Sequence, residues 1–294
     1  MLRRRLYWLL AMAVLALASC GPPHKNVIVV GSKNFAEQEI LGELLAQHIH
    51  AVTGLPVERR FYLAGTYIAQ QAILAGRIDT YVEYTGTALE AILKQSARGT
   101  PQQVFERVKA EYAQRYHLSV MPSLGFEDSF AIVIRGDDAR RYHLSKLSQL
   151  APIAPKWRAG FGYEFMERQD GYRGFVNTYH LHFAGKPRIM DLGLLYRALI
   201  SRQVDLVAGN STDGLIEAYH LVVLQDDQHY FPPYQAVPVV RQKTLELHPA
   251  VRKALEDLAG KISTEDMRKM NYEVVAEHRP ARSVVSEFRK SKGL

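Results

Sequence analysis

The chain has 294 residues, a formal net charge of +7, 47% hydrophobic residues and one cysteine, Cys20. A single cysteine excludes an internal disulfide, so burial alone must hold the fold, and the length suggests two domains. The positive charge is spread along the chain and forms no stripe of Lys and Arg with aromatic residues between them, so the composition disfavours nucleic-acid binding.

The first segment predicts a lipoprotein signal peptide. Three arginines open it, and residues 6–17 are almost wholly apolar but too short to span a bilayer. The sequence Leu17-Ala18-Ser19-Cys20 resembles the bacterial lipobox, in which the cysteine is lipidated and becomes the mature N-terminus. We therefore expect removal of residues 1–19, a lipid on Cys20 and a tether at residues 20–24; the alternative is an ordinary signal peptide with a leftover cysteine. No later window is apolar for about eighteen residues, so no membrane-spanning helix is predicted in the mature chain.

The mature chain begins with a predicted strand and helix. In residues 26–30, every residue after Asn26 is β-branched and apolar, and the run ends at Gly31, as expected of a buried strand. Apolar residues then recur at helical spacing as far as Ile49, and Asn34 with Glu37 three residues later fits an N-cap and capping box. Backbone N–H groups in this strand-to-helix turn favour an anion.

Strands and helices continue to alternate along the chain. Further strands are predicted at residues 57–63, 78–82, 130–134, 159–161, 204–207 and 236–240. Helices are predicted at residues 66–74, 192–200, 249–258, 264–277 and 281–290. This alternation predicts an α/β fold in which the sheets are largely parallel.

One helix–strand unit occurs twice in the sequence. Residues 72–79 align without gaps on residues 198–205, and a polar loop follows each unit, at 84–87 and at 210–214. The repeat predicts two lobes of similar design that face each other. The alternative is chance similarity between two helix–strand junctions.

The sequence contains no enzyme signature. It has no Gly-x-Ser-x-Gly elbow, P-loop or His-Glu-x-x-His helix, and its one cysteine is assigned to the lipid anchor. His48 and His50 point to different sides of a predicted helix, which suits a solvated helix better than a metal site. A solvated turn explains Asp226, Asp227 and His229 as well as a metal site does. Neither a metal nor a cofactor is therefore predicted.

Three aromatic residues stand in polar loops at predicted strand ends: Tyr84, Phe130 and Tyr234. A quaternary ammonium ion cannot usefully donate hydrogen bonds, and proteins hold it among aromatic faces that contribute about 0.5–2 kcal/mol each. The three residues therefore indicate a cation site. The alternative is that each is an ordinary half-buried aromatic.

Five motifs, in the same order, resemble the substrate-binding proteins of osmoprotectant ABC transporters, which carry glycine betaine, choline or carnitine. The motifs are Gly31-Ser32-Lys33-Asn34-Phe35 with Glu37, Gly76 and Ile78-Asp79 with Glu83-Tyr84-Thr85-Gly86-Thr87, Arg168 with Asp170-Gly171, Ser211-Thr212-Asp213-Gly214, and Asp226-Asp227 with Phe231-Pro232-Pro233-Tyr234. The resemblance covers essentially the whole mature chain. It implies a two-lobed periplasmic-binding-protein fold of type II, with the ligand in the cleft between the lobes.

The resemblance also implies a cage of four tyrosines around a trimethylammonium group. Tyr84 and Tyr234 match two of these tyrosines. Phe130 falls where the third is usual, which keeps the ring and loses the hydroxyl. Asn210 falls where the fourth is usual, and its amide offers a donor and an acceptor in place of a ring. This difference leaves room for a larger or more polar ligand.

For a ligand carboxylate, the resemblance implies three contacts. Arg168 matches the family's arginine, whose planar fork suits bidentate pairing. Lys33 and Thr87 match the remaining polar contacts. The alternative for Arg168 is an ordinary surface pair with Asp170 or Glu167.

The predicted organisation is two lobes joined by two crossings of the chain. Lobe 1 comprises residues 25–126 and 235–294, and lobe 2 comprises residues 127–234. Two crossings would allow the lobes to close over a ligand like a hinge. Glu83 and Asp213 are interpreted as structural groups that cap loops or pair near this hinge.

The predicted function is capture of a betaine-like quaternary ammonium compound and its delivery to an ABC permease with its ATPase. The protein is predicted to be a monomer that a lipid anchors in the periplasm or at the cell surface. Alternatives in the same fold are carnitine, choline and a histidine-derived betaine such as ergothioneine. Choline is the weaker option because it would leave Arg168 without a carboxylate. From other classes, the alternatives are a ligand-gated sensor and an enzyme acting on a small ammonium compound, for which the sequence offers no nucleophile, base or metal cluster.

Overall fold

The computed structural model describes residues 26–294, which form two lobes, each built on a five-stranded sheet. The strands, numbered in chain order, are β1 (Ile28–Gly31), β2 (Val57–Arg60), β3 (Thr80–Tyr84), β4 (Leu118–Val120), β5 (Phe130–Arg135), β6 (Ala159–Phe161), β7 (Arg188–Ile189), β8 (Leu206–Asn210), β9 (Leu221–Val223) and β10 (Ala236–Arg241). The first sheet has the order β2-β1-β3-β10-β4 and the second β7-β6-β8-β5-β9.

Helices cover both sheets. They are α1 (Ala36–Thr53), α2 (Thr66–Leu74), α3 (Thr85–Thr87), α4 (Pro101–Tyr116), α5 (Gly136–Tyr142), α6 (Tyr163–Glu167), α7 (Tyr172–Thr178), α8 (Leu192–Ile200), α9 (Gly214–Ala218), α10 (Gln242–Leu247), α11 (Ala250–Glu256), α12 (Thr264–Val275) and α13 (Ala281–Lys292). A π-helix, Ala88–Leu93, continues α3, and short 3₁₀ turns occur at Leu147–Leu150 and Ala154–Lys156. Within residues 26–294, none of the helices is both long enough and apolar enough to cross a membrane.

The two sheets share one pattern of strand directions. In the first, β1 runs parallel to β2 and β3, and β10 runs antiparallel to β3 and β4. In the second, β6 runs parallel to β7 and β8, and β5 runs antiparallel to β8 and β9. Ligands of open α/β sheets bind beyond the carboxyl ends of the parallel strands, so β1, β3, β6 and β8 mark the edges where a site is expected.

Two chain segments pass side by side between the sheets. The backbone N–H of Asp128 donates to the carbonyl of Tyr234 at 3.1 Å, and that of Ala236 donates to the carbonyl of Phe126 at 3.1 Å. Strands β1–β4 and β10 lie on one side of this crossing and β5–β9 on the other. The arrangement is compatible with the predicted lobes, whose boundaries stay a prediction.

Apolar clusters cover both faces of each sheet. Alternate residues of a strand point to opposite faces, so Val30 packs in one cluster of the first lobe and Val29 in the other. Ile132 and Val133 divide in the same way in the second lobe. The cluster that contains Ile132 is rich in aromatic side chains and extends to the partly buried Phe130 at the cleft.

The repeated helix–strand unit is a structural repeat. Asp79 forms two hydrogen bonds with the backbone of Val29. The Asp79 N–H donates to the Val29 carbonyl at 2.7 Å, and the Asp79 carboxylate accepts the Val29 N–H at 2.8 Å. Asp205 does the same with Arg158, at 2.7 and 3.0 Å. Equivalent aspartates therefore tie equivalent strands together in the two lobes, and the prediction of two lobes of similar design is confirmed.

Two predicted strands begin later than the sequence pattern indicates. The strands predicted at 78–82 and 204–207 begin at Thr80 and Leu206. Ile78 and Val204 are predicted as the first residues of these strands. Their backbone N–H groups instead donate to carbonyls of the preceding helix, so both residues belong to the helix end. The later register places Tyr84 and the equivalent residue of β8 at the strand ends.

The other predicted bounds of strands and helices agree with the structure to within three residues. The strand predicted at 57–63 ends at Arg60. Tyr62 adopts φ of 60°, the left-handed region, which an extended strand does not accommodate.

The predicted capping box at the start of α1 is wrong. The helix begins at Ala36 with Phe35 at the N-cap position, and no side chain caps it. Asn34 therefore plays no capping role. Glu37 is buried; its carboxylate accepts a hydrogen bond from the Tyr84 hydroxyl of its own lobe at 2.6 Å and another from the Thr212 hydroxyl of the other lobe, because this turn faces the cleft rather than solvent.

Candidate functional site

A cavity of about 340 Å³ lies between the two lobes. All seven residues predicted to contact a ligand line it: Lys33, Tyr84, Thr87, Phe130, Arg168, Asn210 and Tyr234. Tyr84 ends β3 and Asn210 ends β8, so the two occupy equivalent places in the two sheets. The structure therefore brings together residues that the sequence spreads over about 200 positions.

Aromatic rings form one wall of the cavity. The rings of Phe130 and Tyr234 lie edge to face, with centroids 5.9 Å apart. Phe165 packs against Phe130 at 4.9 Å and Phe231 does so at 5.9 Å. Buttressed rings lose little further conformational entropy when a ligand binds, so this wall is preorganised.

Asn210 lies directly opposite Phe130 in the antiparallel pair of β5 and β8. Its amide has no hydrogen-bond partner in residues 26–294, and the side chain is partly exposed to the cavity. The cavity thus has three aromatic rings at the predicted cage positions and a polar amide at the fourth.

Arg168 is buried in the cavity wall with Asp170. Its Nε donates to one carboxylate oxygen of Asp170 at 2.8 Å, Nη2 contacts the other, and Nη1 donates to the hydroxyl of Thr87 at 3.1 Å. The expected alternative pairing with Asp170 therefore exists, but inside the cleft rather than at the surface. Although burial opposes the charged form, the Asp170 carboxylate raises the pKa of Arg168, which keeps its charge.

The guanidinium of Arg168 also faces two aromatic rings. Its central carbon lies 4.7 Å from the centroid of Phe130 and 5.9 Å from that of Tyr234. These rings therefore stabilise the buried cation of Arg168. Of the five N–H groups of the guanidinium, two have no partner in the described part of the chain.

Lys33 forms a second buried ion pair in the same cavity. Its ammonium contacts the Glu83 carboxylate, donates to the hydroxyl of Thr66 at 3.0 Å and lies 5.1 Å from the centroid of the Tyr84 ring. The Glu83 side chain is fully buried, which confirms its interpretation as a structural group. Of the three N–H groups of the ammonium, one has no partner within residues 26–294.

The Tyr84 hydroxyl is held by two neighbours. It donates to Glu37 at 2.6 Å and accepts from Nε2 of Gln38 at 3.1 Å. Burial, and then the Glu37 carboxylate, raise the pKa of Tyr84 well above its usual value, so the hydroxyl stays protonated. These bonds fix the orientation of the ring that faces the cavity.

Hydrogen bonds cross directly from lobe to lobe around the cavity. Glu164, at the start of α6, accepts the backbone N–H of Thr66 at the start of α2. The Thr212 hydroxyl donates to Glu37, and Asn271 joins the two by donating to Glu37 at 2.9 Å and to the Thr212 carbonyl at 2.8 Å. The lobes are therefore in contact on two sides of the cavity.

Sequence reasoning missed these bridging residues. Glu164 follows β6 within three residues, as Lys33 follows β1, and this shared position was a usable signal. Asn271 is 234 positions from Glu37, and nothing in the sequence around it marks a contact.

Three carboxyl groups lie where the lobes meet: Glu37, Asp128 and Asp213. Burial is the main cause that raises the pKa of each, to about 6 for Asp213. The Asp213 carboxylate also accepts the backbone N–H of Leu215 at 2.9 Å and caps α9, which confirms its structural interpretation.

The remaining candidate residues lie away from the cavity. His48 is buried and His50 is exposed on α1, and no group of three or more metal-ligating side chains occurs in residues 26–294. Asp226 accepts the backbone N–H groups of Tyr230 at 3.0 Å and Phe231 at 2.8 Å, so it orders the loop that carries Phe231. Cys20 lies outside the described residues.

Comparison with known proteins gives a consistent result. Residues 26–291 match the family described as the substrate binding domain of ABC-type glycine betaine transport systems. The carnitine transport binding protein of Listeria monocytogenes is 36% identical over 287 residues, which cover 95% of this chain and 93% of that one. An ergothioneine transport permease/ergothioneine binding protein of Helicobacter pylori is 32% identical over 300 residues, which cover 99% of this chain but 54% of that protein.

A solved structure agrees with these sequence relatives. The crystal structure of a glycine betaine/carnitine/choline ABC transporter protein superposes with a TM-score of 0.76 at 31% identity, covering 90% of this chain and 98% of that one. The relatives are transport binding proteins and not enzymes.

Proposed function

The chain belongs to the family of substrate-binding domains of ABC-type glycine betaine transport systems, and from this premise we propose that it captures a betaine-like quaternary ammonium compound between its lobes. The observation that carries the proposal is the cavity between the lobes, which is lined by aromatic rings at three cage positions and by two cationic side chains, Arg168 and Lys33. A betaine has an ammonium for the rings and a carboxylate for the cations.

The rings would hold the ammonium group. Tyr84, Phe130 and Tyr234 each offer an aromatic face or edge, and a desolvated cation gains about 0.5–2 kcal/mol from each face. Both Phe130 and Tyr234 already lie near a buried cation, the guanidinium of Arg168, which supports this role.

The carboxylate would meet Arg168, Lys33 and Thr87. Arg168 retains two N–H groups without partners in residues 26–294, and its planar fork suits a bidentate carboxylate. Asp170 and Glu83 neutralise the two cations, so a ligand carboxylate adds to a network that is already held in place.

Closure of the lobes completes the proposed transport cycle. The contacts across the cleft would sequester the ligand, and the closed form would be recognised by an ABC permease with its ATPase. In the same proposal, Cys20 carries a lipid that anchors a monomer outside the cytoplasm, in the periplasm or at the cell surface.

A different trimethylammonium solute is the second candidate, and Asn210 is the observation that favours it. An amide at the fourth cage position accommodates a ligand bulkier than glycine betaine, such as carnitine or an ergothioneine-like betaine. Choline is disfavoured because it has no carboxylate for Arg168.

Calorimetric titration of the purified protein tests the proposal. Glycine betaine, proline betaine, carnitine, choline and ergothioneine form the panel. We expect at least one carboxylated compound to bind, and Tyr84→Ala to weaken its binding about tenfold or more because one ring of the cage is lost. Arg168→Lys keeps a charge beside Asp170 but loses the planar fork, and a loss of about tenfold or more is expected.

Two exposed residues outside the cavity provide matched controls. Tyr219→Ala and Arg173→Ala remove the same side-chain types from the surface and should leave every affinity unchanged. No binding across the panel by folded protein, or binding that both site substitutions leave intact, would contradict the proposal.

A further inference from the structure

A further cavity, of about 910 Å³, adjoins the two crossing segments. These segments pair at Glu127 and Gln235, and alternate residues of extended backbone point in opposite directions. Asp128 lines the main cavity, whereas its neighbours Glu127 and Ser129 line the further one. The two spaces therefore lie on opposite sides of the crossing, and we call the second one the rear cavity. The proposed function assigns it no role.

Both lobes contribute to the rear cavity. The first lobe supplies Glu90 and the loop of residues 96–99, and the second supplies Asp170 and the loop of residues 228–231. Phe130 lines both the rear and the main cavity. The rear cavity therefore shares a wall with the proposed ligand site but is a separate space.

Glu90 places a buried carboxylate without a counter-ion in the wall of the rear cavity. It lies in the π-helix Ala88–Leu93, a rare conformation that is frequent at functional sites, and is only 8% exposed. One of its carboxylate oxygens accepts the backbone N–H of Ala97 at 2.6 Å, and the other has no hydrogen-bond partner in residues 26–294. The carboxylate forms no ion pair within the same residues. Because buried charges in proteins are almost always paired, Glu90 indicates a place for a cation.

Glu127 adds a second carboxylate to the same wall. It is partly buried and forms no ion pair in the described part of the chain. Burial is the main cause that raises the pKa of both Glu90 and Glu127. Arg98 also lines the rear cavity, but it is exposed and pairs with neither carboxylate within residues 26–294. A bound cation would therefore supply the positive charge that these two carboxylates lack.

Two aromatic rings line the same cavity. The rings of Tyr230 and Phe231 have centroids 5.0 Å apart. The Tyr230 hydroxyl donates to the carbonyls of Gln169 at 3.1 Å and Gly171 at 2.9 Å, so its ring is held in position. Aromatic faces stabilise a nearby cation. The combination of carboxylates and rings therefore favours an organic cation.

The lining also indicates which kind of organic cation fits. The Glu90 oxygen without a partner favours a cation that donates an N–H bond, which a quaternary ammonium ion cannot do. The carboxylate of a betaine would be repelled by Glu90 and Glu127. Residues 26–294 contain no group of three or more side chains that could hold a metal ion. A primary amine or a guanidinium therefore suits the rear cavity best.

We propose that the rear cavity is a second binding site, for a small organic cation with N–H donors such as an alkyl diamine, and that Glu90 is its main partner. The site differs from the main cavity in both position and chemistry, so this inference does not depend on the proposed function. Because the two cavities are separate spaces, an amine and a betaine can be bound at the same time.

Three variants separate the two sites. Glu90→Gln keeps the size of the side chain and an oxygen to accept the Ala97 N–H, and it removes the charge. Glu106→Gln is the matched control, because Glu106 is exposed on α4 and lines neither cavity. Tyr84→Ala alters the main cavity and leaves the lining of the rear cavity intact.

The experiment is a calorimetric titration of the purified protein and these variants with putrescine, cadaverine and spermidine. We expect at least one of these amines to bind, and Glu90→Gln to weaken its binding about tenfold or more because the buried charge pair is lost. Glu106→Gln and Tyr84→Ala should each change the amine affinity by less than about twofold. A saturating betaine should leave the amine bound.

Pentamethonium, the fully N-methylated form of cadaverine, tests the need for N–H donors because it keeps the chain and the charges. In the Tyr84→Ala variant, which lacks one ring of the proposed cage, cadaverine should bind about tenfold or more tightly than pentamethonium. Equal affinities would overturn the inference, because the rear cavity would then respond to charge alone.

Three further outcomes would overturn the inference. Displacement of the amine by a betaine would place the amine in the main cavity, and so would amine binding that Tyr84→Ala abolishes and Glu90→Gln leaves intact. Absence of amine binding by folded protein would show that the rear cavity holds no such ligand. The proposed function would survive this last result, because the betaine titration decides it independently.

Discussion

The two lobes repeat one scaffold and differ at the edge that faces the ligand. Both sheets have the same strand order and directions, and Asp79 and Asp205 tie equivalent strands together. At the equivalent strand ends, however, the first lobe presents Tyr84 and the second presents Asn210. Scaffold contacts are therefore kept in both lobes, whereas the residues at the cleft have diverged.

Both lobes also contribute to the wall of the cavity. Each lobe contributes one buried ion pair, Lys33 with Glu83 in the first and Arg168 with Asp170 in the second. The Lys33 ammonium lies 5.1 Å from the centroid of the Tyr84 ring, and the Arg168 guanidinium lies 4.7 Å from that of Phe130. Each lobe therefore contributes both a cationic side chain and an aromatic ring to a single site.

The largest difference between the lobes should appear when either ion pair is broken. Removing one partner of a buried pair leaves an uncompensated charge and costs about 3–5 kcal/mol. Without its cation, Asp170 keeps one hydrogen-bond donor, the Tyr234 hydroxyl, whereas Glu83 keeps two, the Tyr81 hydroxyl and the backbone N–H of the next residue. Arg168→Met should therefore lower the free energy of unfolding more than Lys33→Met does.

Urea denaturation of both variants, followed by circular dichroism, measures this difference. We expect a loss of about 3–5 kcal/mol for Arg168→Met and about 1–2 kcal/mol less for Lys33→Met. Equal losses, or the reverse order, would show that the remaining donors do not matter.

The two scaffold aspartates provide a smaller test. Asp205 accepts from the nearly buried guanidinium of Arg135 at 2.8 Å, whereas Asp79 lies 3.6 Å from the more exposed Arg241. Because hydrogen bonds to a buried charge are stronger, Asp205→Ala should cost about 2–4 kcal/mol and Asp79→Ala about 1–2 kcal/mol. Thermal and urea unfolding of the two variants would show whether the two equivalent aspartates contribute unequally to the free energy of unfolding.

The smallest expected effect is a pH dependence of ligand binding. Burial, together with the Glu37 carboxylate of the other lobe, raises the pKa of Asp213 to about 6. Since Glu37 approaches Asp213 only where the lobes meet, we expect closure of the lobes to take up a proton, a contribution that is fully present at low pH and lost as the pH rises through about 6. The raised pKa values of Glu37 and Asp128 act in the same direction.

Affinity should accordingly be about three- to tenfold higher at pH 5 than at pH 7.5. Asp213→Asn keeps a side-chain oxygen to accept the Leu215 N–H and removes the titrating group, so its affinity should vary less with pH. Calorimetric titrations at the two pH values compare the proteins, and an affinity that rises with pH would contradict the linkage.

Local sequence patterns predicted much of the scaffold. The helix predicted at 192–200 and the strand at 159–161 have the observed bounds, because apolar periodicity and flanking turns report burial within one lobe. The cavity residues were located by motif resemblance, which identifies positions without giving their contacts. Pairs such as Arg168 with Asp170 could be proposed because they are close in sequence.

Contacts between the lobes could not be predicted in this way. Glu37 fits a capping box by spacing, yet in the structure it bonds to Tyr84, Thr212 and Asn271. These partners lie 47, 175 and 234 positions away. Tyr84 and Asn271 reach Glu37 through the tertiary fold of its own lobe, and Thr212 reaches it only where the two folded lobes meet. A local pattern carries no information about that geometry.

The most direct test of the central claim compares a betaine with an uncharged isostere. Glycine betaine and tert-butylacetate have the same shape and the same carboxylate, and differ only in the positive nitrogen. If Tyr84, Phe130 and Tyr234 hold an ammonium ion, calorimetric titration should show glycine betaine binding about tenfold or more tightly than tert-butylacetate. Equal affinities would mean that the cavity selects for shape alone, and the cation site proposed between the lobes would be wrong.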